Sequence, residues 1–311
     1  MHRVRCCIQY LCLAVCLVSS VAVAKNSSEI RFGVPTWPGV TVKSEVASQL
    51  IEAIGYSTMQ TNASPAFCIN ALKNDDLDIY LGGWIPAETN LIRPAEKEGT
   101  VEVLTTNIAG AHNAIAVPKY VWDAGVRTEA DLDKYAEKFD HKIYGIEPGS
   151  GFNSNVQDAI DNDRHGLGDW ELVASSTSAM LSQVGRAIEN KEWVVFLGWE
   201  PHWMNITYDI RYPAAVGESK IAPATSDVLT VVNPKLADRS PEVVKFLNQY
   251  VVDKDDQSKW VLEYAKKDRE PSEVASAWIA SNLDTVGEWL EGVKTVDGGS
   301  AMAAVRERYA D

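Results

Sequence analysis

Along the chain, short apolar runs alternate with stretches in which apolar residues recur every three or four positions. Ile30 to Val34 reads as a strand, and Val42, Val46, Ala47, Leu50, Ile51 and Ile54 then mark one face of a helix that Gly55 closes. Leu77 to Leu81 predicts a second strand leading into Gly82-Gly83-Trp84, and Ile108 to Val117 a third extended segment ending at Pro118. A second block follows, with a strand over Lys142 to Ile146, a turn at Pro148-Gly149-Ser150-Gly151 and a helix from Asn153 to about Ile160. Trp193 to Leu197 is the clearest strand of that block and runs into Gly198-Trp199; Val228 to Val232 predicts a strand returning to the first block, and Pro241 to Arg308 is dominated by helical spacing. No repeat or low-complexity tract interrupts this order. The alternation predicts an α/β protein of two lobes joined by crossing strands, residues 25–115 with 225–311 forming one and 116–224 the other. Ligands of open α/β sheets bind beyond the carboxyl ends of strands, which puts a site in the cleft between the lobes.

The first two dozen residues change the compartment. Arg3 and Arg5 precede an apolar stretch from Ile8 to Val23 that ends in Ala22-Val23-Ala24, the pattern of an export signal cut after Ala24. Its run is broken by Gln9, Ser19 and Ser20 and falls short of the roughly 20 residues a spanning helix needs. The expected location is the periplasm. Cys6, Cys7, Cys12 and Cys16 belong to the signal, so Cys68 alone remains and no internal disulfide is expected. Among Ala66, Phe67 and Ile69, Cys68 reads as a buried, inert thiol.

Charge removes one class of partner. The formal net charge is -14, and phosphate binding needs clustered Lys and Arg that are absent, so nucleic acid is excluded as a partner.

Three of the ten tryptophans share one local grammar. Trp37 lies in Pro35-Thr36-Trp37-Pro38, Trp84 in Gly82-Gly83-Trp84-Ile85-Pro86 and Trp199 in Leu197-Gly198-Trp199-Glu200-Pro201-His202. Each is expected to follow a strand directly, with glycine turning and proline stiffening the exit, so that the indole is held at a loop. Indole faces attract cations, each contributing roughly 0.5–2 kcal/mol when water is excluded, and an alkylated ammonium has few N–H donors to desolvate. The glycine-rich turn before the helix at Asn153 presents free N–H groups and a dipole suited to an anion. An ordinary strand-to-helix turn is the plainer reading of the same residues.

Tyr80 to Pro86, Ile143 to Gly151 and Phe196 to Asn205 resemble the corresponding stretches of substrate-binding proteins of bacterial ABC importers for choline, glycine betaine and carnitine. The resemblance runs from Arg31 to about Ala304. It implies a two-lobed periplasmic-binding-protein fold of type II that closes on its ligand like a hinge, with an aromatic box from Trp37, Trp84 and Trp199. It also implies a permease and an ATPase as partners; no cofactor is expected, and no metal, since the five histidines are scattered and Asp75, Asp76 and Asp78 lack the glycine and terminal Glu of a calcium loop. A monomer is expected. Two departures bear on the ligand: choline binders carry Asp where this chain has Gly39, and a box Tyr where Asn113 stands, leaving a fourth wall open or supplied by a residue such as Trp203. Gly151 and Phe152 resemble the loop of glycine betaine binders whose backbone holds a carboxylate. The ligand expected is therefore a zwitterion, glycine betaine or carnitine, with choline as the alternative. His202 has two readings, a donor to that carboxylate or a prop for the loop of Trp199, and His112 or Asn113 is placed to meet a ligand hydroxyl.

The competing readings lack their motifs. There is no Gly-x-Ser-x-Gly or His-Glu-x-x-His for an exported hydrolase. Glu147 and Glu200 each adjoin a proline, where holding a turn is a simpler role than acid/base work. An amino-acid or polyamine receptor would clamp a primary ammonium with carboxylates rather than indoles.

Overall fold

The computed structural model describes residues 29–221 and 224–309. The predicted export signal and its four cysteines lie outside these residues. Nine strands, β1 (Glu29–Val34), β2 (Ser57–Asn62), β3 (Ile79–Ile85), β4 (Glu102–Pro118), β5 (Lys142–Tyr144), β6 (Glu171–Val173), β7 (Phe196–Glu200), β8 (Ile210–Arg211) and β9 (Ala224–Val232), form one sheet in the order β2-β1-β3-β9-β4-β7-β5-β6, with β8 on β4. Between them run α1 (Pro38–Ala53), α2 (Pro65–Lys73), α3 (Thr89–Lys97), α4 (Lys119–Asp123), α5 (Gly151–Asp161), α6 (Thr177–Asn190) and α7 (Met204–Thr207). The tail forms α8 (Leu236–Arg239), α9 (Pro241–Gln249), α10 (Lys254–Val261), α11 (Pro271–Ser281), α12 (Leu283–Trp289) and α13 (Ala301–Tyr309).

The mixed α/β class is as the alternating pattern predicts. β4 is the strand that makes one sheet of two halves. Its first part, Glu102 to Asn113, pairs antiparallel with β9, and its second, His112 to Ala116, pairs antiparallel with β7. Only His112 and Asn113 touch both neighbours in register. Helices of the tail return to the first half, where α1 packs against α10, α11 and α13. Three tryptophans hold that layer: Trp278 stacks on Trp289 at 5.2 Å and meets Trp260 edge-on at 5.0 Å.

Two strands end later than the apolar runs suggest. β3 continues through Gly82-Gly83-Trp84 to Ile85, and β7 covers Phe196 to Glu200 rather than Trp193 to Leu197. Trp84 and Trp199 therefore lie inside strands, not on loops. The cause is pairing: Gly83, Trp84 and Ile85 find Leu229, Val228 and Asp227 on β9, and Trp199 finds Asn113 on β4, so their backbone groups are satisfied by continuing the ladder. Cys68 is buried, and burial pushes its thiol up to about 12, which keeps it protonated and unreactive.

β2 has little apolar signal because it is an edge strand with both faces largely exposed. The acidic run before β3 is structural. Asp78, fully buried, accepts bonds of 2.8 Å from the backbone N–H, Nε and Nη2 of Arg31, and Arg239 of α8 donates to it as well. Burial alone would raise its carboxyl, but these donors outweigh it and hold the group below the ordinary carboxylate range. Asp78→Ala leaves the buried Arg31 with only the partly exposed Asp75 carboxylate, 3.2 Å from its Nη2, and urea denaturation should show a loss of about 3 kcal/mol. A loss below about 1 kcal/mol would mean that the network is dispensable.

Candidate ligand-binding site

A cavity with about 50 Å³ of free space, room for several waters, opens where the two halves of the sheet face each other. Trp37, from the turn before α1, Trp84 of β3 and Trp199 of β7 all line it, as do Asn113 of β4 and Gly151 and Phe152 at the start of α5. Six of the seven candidate residues thus share one cavity.

His202 does not line it. The chain turns back after β7, and His202 is buried behind Trp199, ring centroids 4.8 Å apart and edge-on. Its Nδ1 accepts the N–H of Met204 at 3.1 Å, which fixes the ring as a support for the turn. Desolvation lowers its pKa to about 3, so the ring is neutral. Trp203 also lies off the cavity, packed between His202 and Tyr208. His112 pairs with Glu200 at 3.4 Å and packs on Tyr212.

Each indole is held by a different device. The Nε1–H of Trp37 donates to Glu147 Oε2 at 3.0 Å, and Thr36 Oγ1 donates to Oε1 at 3.2 Å. The same carboxylate accepts the N–H and hydroxyl of Thr177 at 2.8 and 2.9 Å, at the positive end of α6. Glu147 therefore ties the first indole to the opposite half of the molecule. Trp84 is set by its register with Val228 after a bulge at Leu81-Gly82, where Tyr80 Oη donates to Gly82 O at 2.6 Å. Trp199 sits beside Asn113 on adjacent strands, at the crossing from one half to the other.

α5 begins with Ser150, whose Oγ takes the N–H of Asn153. Gly151 and Phe152, in its first turn, carry backbone N–H groups with no acceptor inside the helix. Only glycine fits at 151: a Cβ there would lie 2.2 Å from Ala87 O, so the segment after β3 crosses directly over the helix start.

Sequence reasoning missed three polar lining residues, Lys43, Glu88 and Gln257. Lys43 had a signal, since it occupies the apolar face of α1 in line with Ala47, Leu50 and Ile54. It is buried, donates to Asn107 Oδ1 at 2.6 Å, and desolvation lowers its pKa to about 7. Glu88 is buried beside the Tyr80 hydroxyl, 3.1 and 3.2 Å from its two oxygens, and desolvation raises its pKa well above the ordinary carboxylate range. Gln257 of α10 is buried with its Oε1 unpartnered, and its amide nitrogen lies 2.6 Å from where a Cβ on Gly39 would be. Nothing in the spacing around Glu88 or Gln257 marks them out.

Residues 28–281 match the family model described as the substrate-binding domain of the ABC-type glycine betaine transport system. The chain belongs to this family. It is a substrate-binding component of an ABC transporter of the glycine betaine and choline group, and its fold is that of the type II periplasmic binding proteins. A choline-binding protein of an ABC transporter, solved with choline, is 31% identical and superposes with a TM-score of 0.87 over 91% of this chain and 99% of its own. Lactococcal OpuAC, closed on glycine betaine, is 27% identical with a TM-score of 0.76 over 84% of this chain and 99% of its own. The glycine betaine/carnitine transport binding protein GbuC of Listeria monocytogenes is 31% identical over 52% of this chain and 53% of its own length.

Lys43 makes the stability of this binding protein depend on pH. Its folded pKa of about 7 lies below the unfolded value of 10.5, so between those values the unfolded state binds more protons and stability falls as pH falls, by up to about 1.4 kcal/mol per unit. Unfolding measured from pH 10 to pH 7 should show Lys43→Met gaining on the wild type steadily as pH drops; a constant difference across that window would contradict the shifted lysine.

Proposed function

We propose that this binding protein captures a zwitterionic quaternary ammonium compound, glycine betaine or carnitine, outside the cytoplasm and hands it to its permease and ATPase without chemical change. The observation that carries the reading is three indoles, delivered by separate elements, on one cavity that also holds the N-terminal turn of α5. Their faces suit a trimethylammonium group, which offers no N–H to leave unsatisfied. The free N–H groups of Gly151 and Phe152 suit the carboxylate. Residues 25–115 with 225–311, and 116–224, act as two lobes that close about the β4–β9 crossing. The Trp37–Glu147 bond and the approach of Ala87 to Gly151 support this, since both span the halves. The working unit is a monomer, exported by the signal at residues 1–24. Among the described residues no helix is long and apolar enough to cross a membrane.

Choline is the second reading, favoured by the similarity to a structure solved with choline. Against it stands Gly39, which brings no carboxylate to the cavity wall and leaves its place to the Gln257 amide.

Tryptophan-fluorescence titration with glycine betaine, carnitine and choline tests the choice. Either zwitterion should bind more tightly than choline, and Trp84→Ala or Trp199→Ala should each weaken it by about 2–30-fold. Preference for choline would reverse the ligand assignment, and silence toward all three would remove the aromatic reading. Gly151→Ala places a methyl against Ala87 O and should lower zwitterion affinity at least about tenfold, beyond a loss of stability of about 1–3 kcal/mol that the melting temperature reads separately; unchanged affinity would mean that closure does not bring those segments together.

A further inference from the structure

Lys43 is the one cationic side chain among the described residues lining the cavity. It is 1% exposed, and an ammonium carries three N–H donors. Asn107 Oδ1 takes one of them. The orientation of Asn107 is set from its other end, where Nδ2 donates to Leu81 O at 3.2 Å and Thr230 Oγ1 at 3.1 Å. Lys43 is thus met by a neutral acceptor, and no carboxylate offsets its charge. The acid on the same wall, Glu88, lies against the Tyr80 hydroxyl and makes no ion pair with Lys43, and burial raises its carboxyl well above the ordinary range, which disfavours the anion. Gln257, across α10, presents an amide. A buried cation without a counter-charge costs several kcal/mol, and the fold draws nothing from its head group that a neutral donor to Asn107 would not provide.

We infer that Lys43 supplies the counter-charge for the anionic end of the ligand, so that the cavity selects quaternary ammonium compounds bearing a carboxylate over those ending in a hydroxyl or amide. This rests on the cavity binding such compounds at all. The ligand then brings both what the indoles take, a cation without N–H groups, and what the lysine lacks, an anion. Choline brings only the cation, which offers Lys43 no partner and opposes its protonation. Desolvation, which penalises Lys43 in the empty cavity, strengthens its pairing once the carboxylate is in place.

The test compares glycine betaine, its carboxamide and choline by fluorescence titration of the wild type, Lys43→Met and Lys43→Gln, the last of which keeps a donor for Asn107. The wild type should prefer glycine betaine over the carboxamide by about a hundredfold, and in both variants that preference should fall below about threefold through loss of betaine affinity, with choline gaining on betaine. Variants that keep the full preference would assign the carboxylate to the α5 backbone alone and overturn the inference. So would a wild type that does not distinguish betaine from its carboxamide, an outcome that decides the matter even if a variant fails to fold. A wild type that binds none of the three compounds would overturn the reading of the cavity itself, and the inference with it.

Discussion

One strand carries the whole arrangement. β4 pairs with β9 along its first part and with β7 along its second, and the change of partner falls at His112 and Asn113. Because side chains alternate strictly along a strand, this register decides what meets at the crossing: Trp199 of β7 beside Asn113 of β4, with Trp84 of β3 on the far side of β9. A slip of one residue would turn these side chains to the opposite face. The cavity is therefore a consequence of sheet register, and the helices complete it, α1 with Trp37 and Lys43, α5 with Gly151 and Phe152.

The site carries more strain of charge than the rest of the interior. Elsewhere buried charges are matched, as Asp78 is by Arg31 and Arg239. On the cavity wall Lys43 has only an amide partner, burial raises the Glu88 carboxyl well above its ordinary range, and the amide oxygen of Gln257 has no partner. Groups left in this condition cost stability until a polar or charged partner completes them.

Much of the fold was legible because it rests on apolar periodicity: α1, α5, β1 and β9 fall near where their patterns place them. The edge strand β2 was not, since a strand exposed on both faces has no apolar alternation to read. Trp84 and Trp199 were recognisable from their glycines and prolines, but the same glycines suggested loops, and only pairing with β9 and β4 makes strand out of them. His202 shows the opposite limit. Its place in a motif beside Trp199 suggested contact with the ligand, while its direction depends on a bond to the N–H of Met204. Lys43 interrupts an otherwise apolar helix face, a signal present in the sequence whose meaning depends on knowing what that face looks onto.

Reception of the cation by indole faces, rather than by carboxylates, is the central claim of the proposed function. Its most direct measurement is calorimetric titration with glycine betaine, dimethylglycine, sarcosine and glycine, which keep the carboxylate and differ only in methyl groups on nitrogen. Each methyl replaced by hydrogen adds an N–H that the indoles cannot accept, so affinity should fall at every step and vanish for glycine. Equal binding of glycine and glycine betaine would contradict the account.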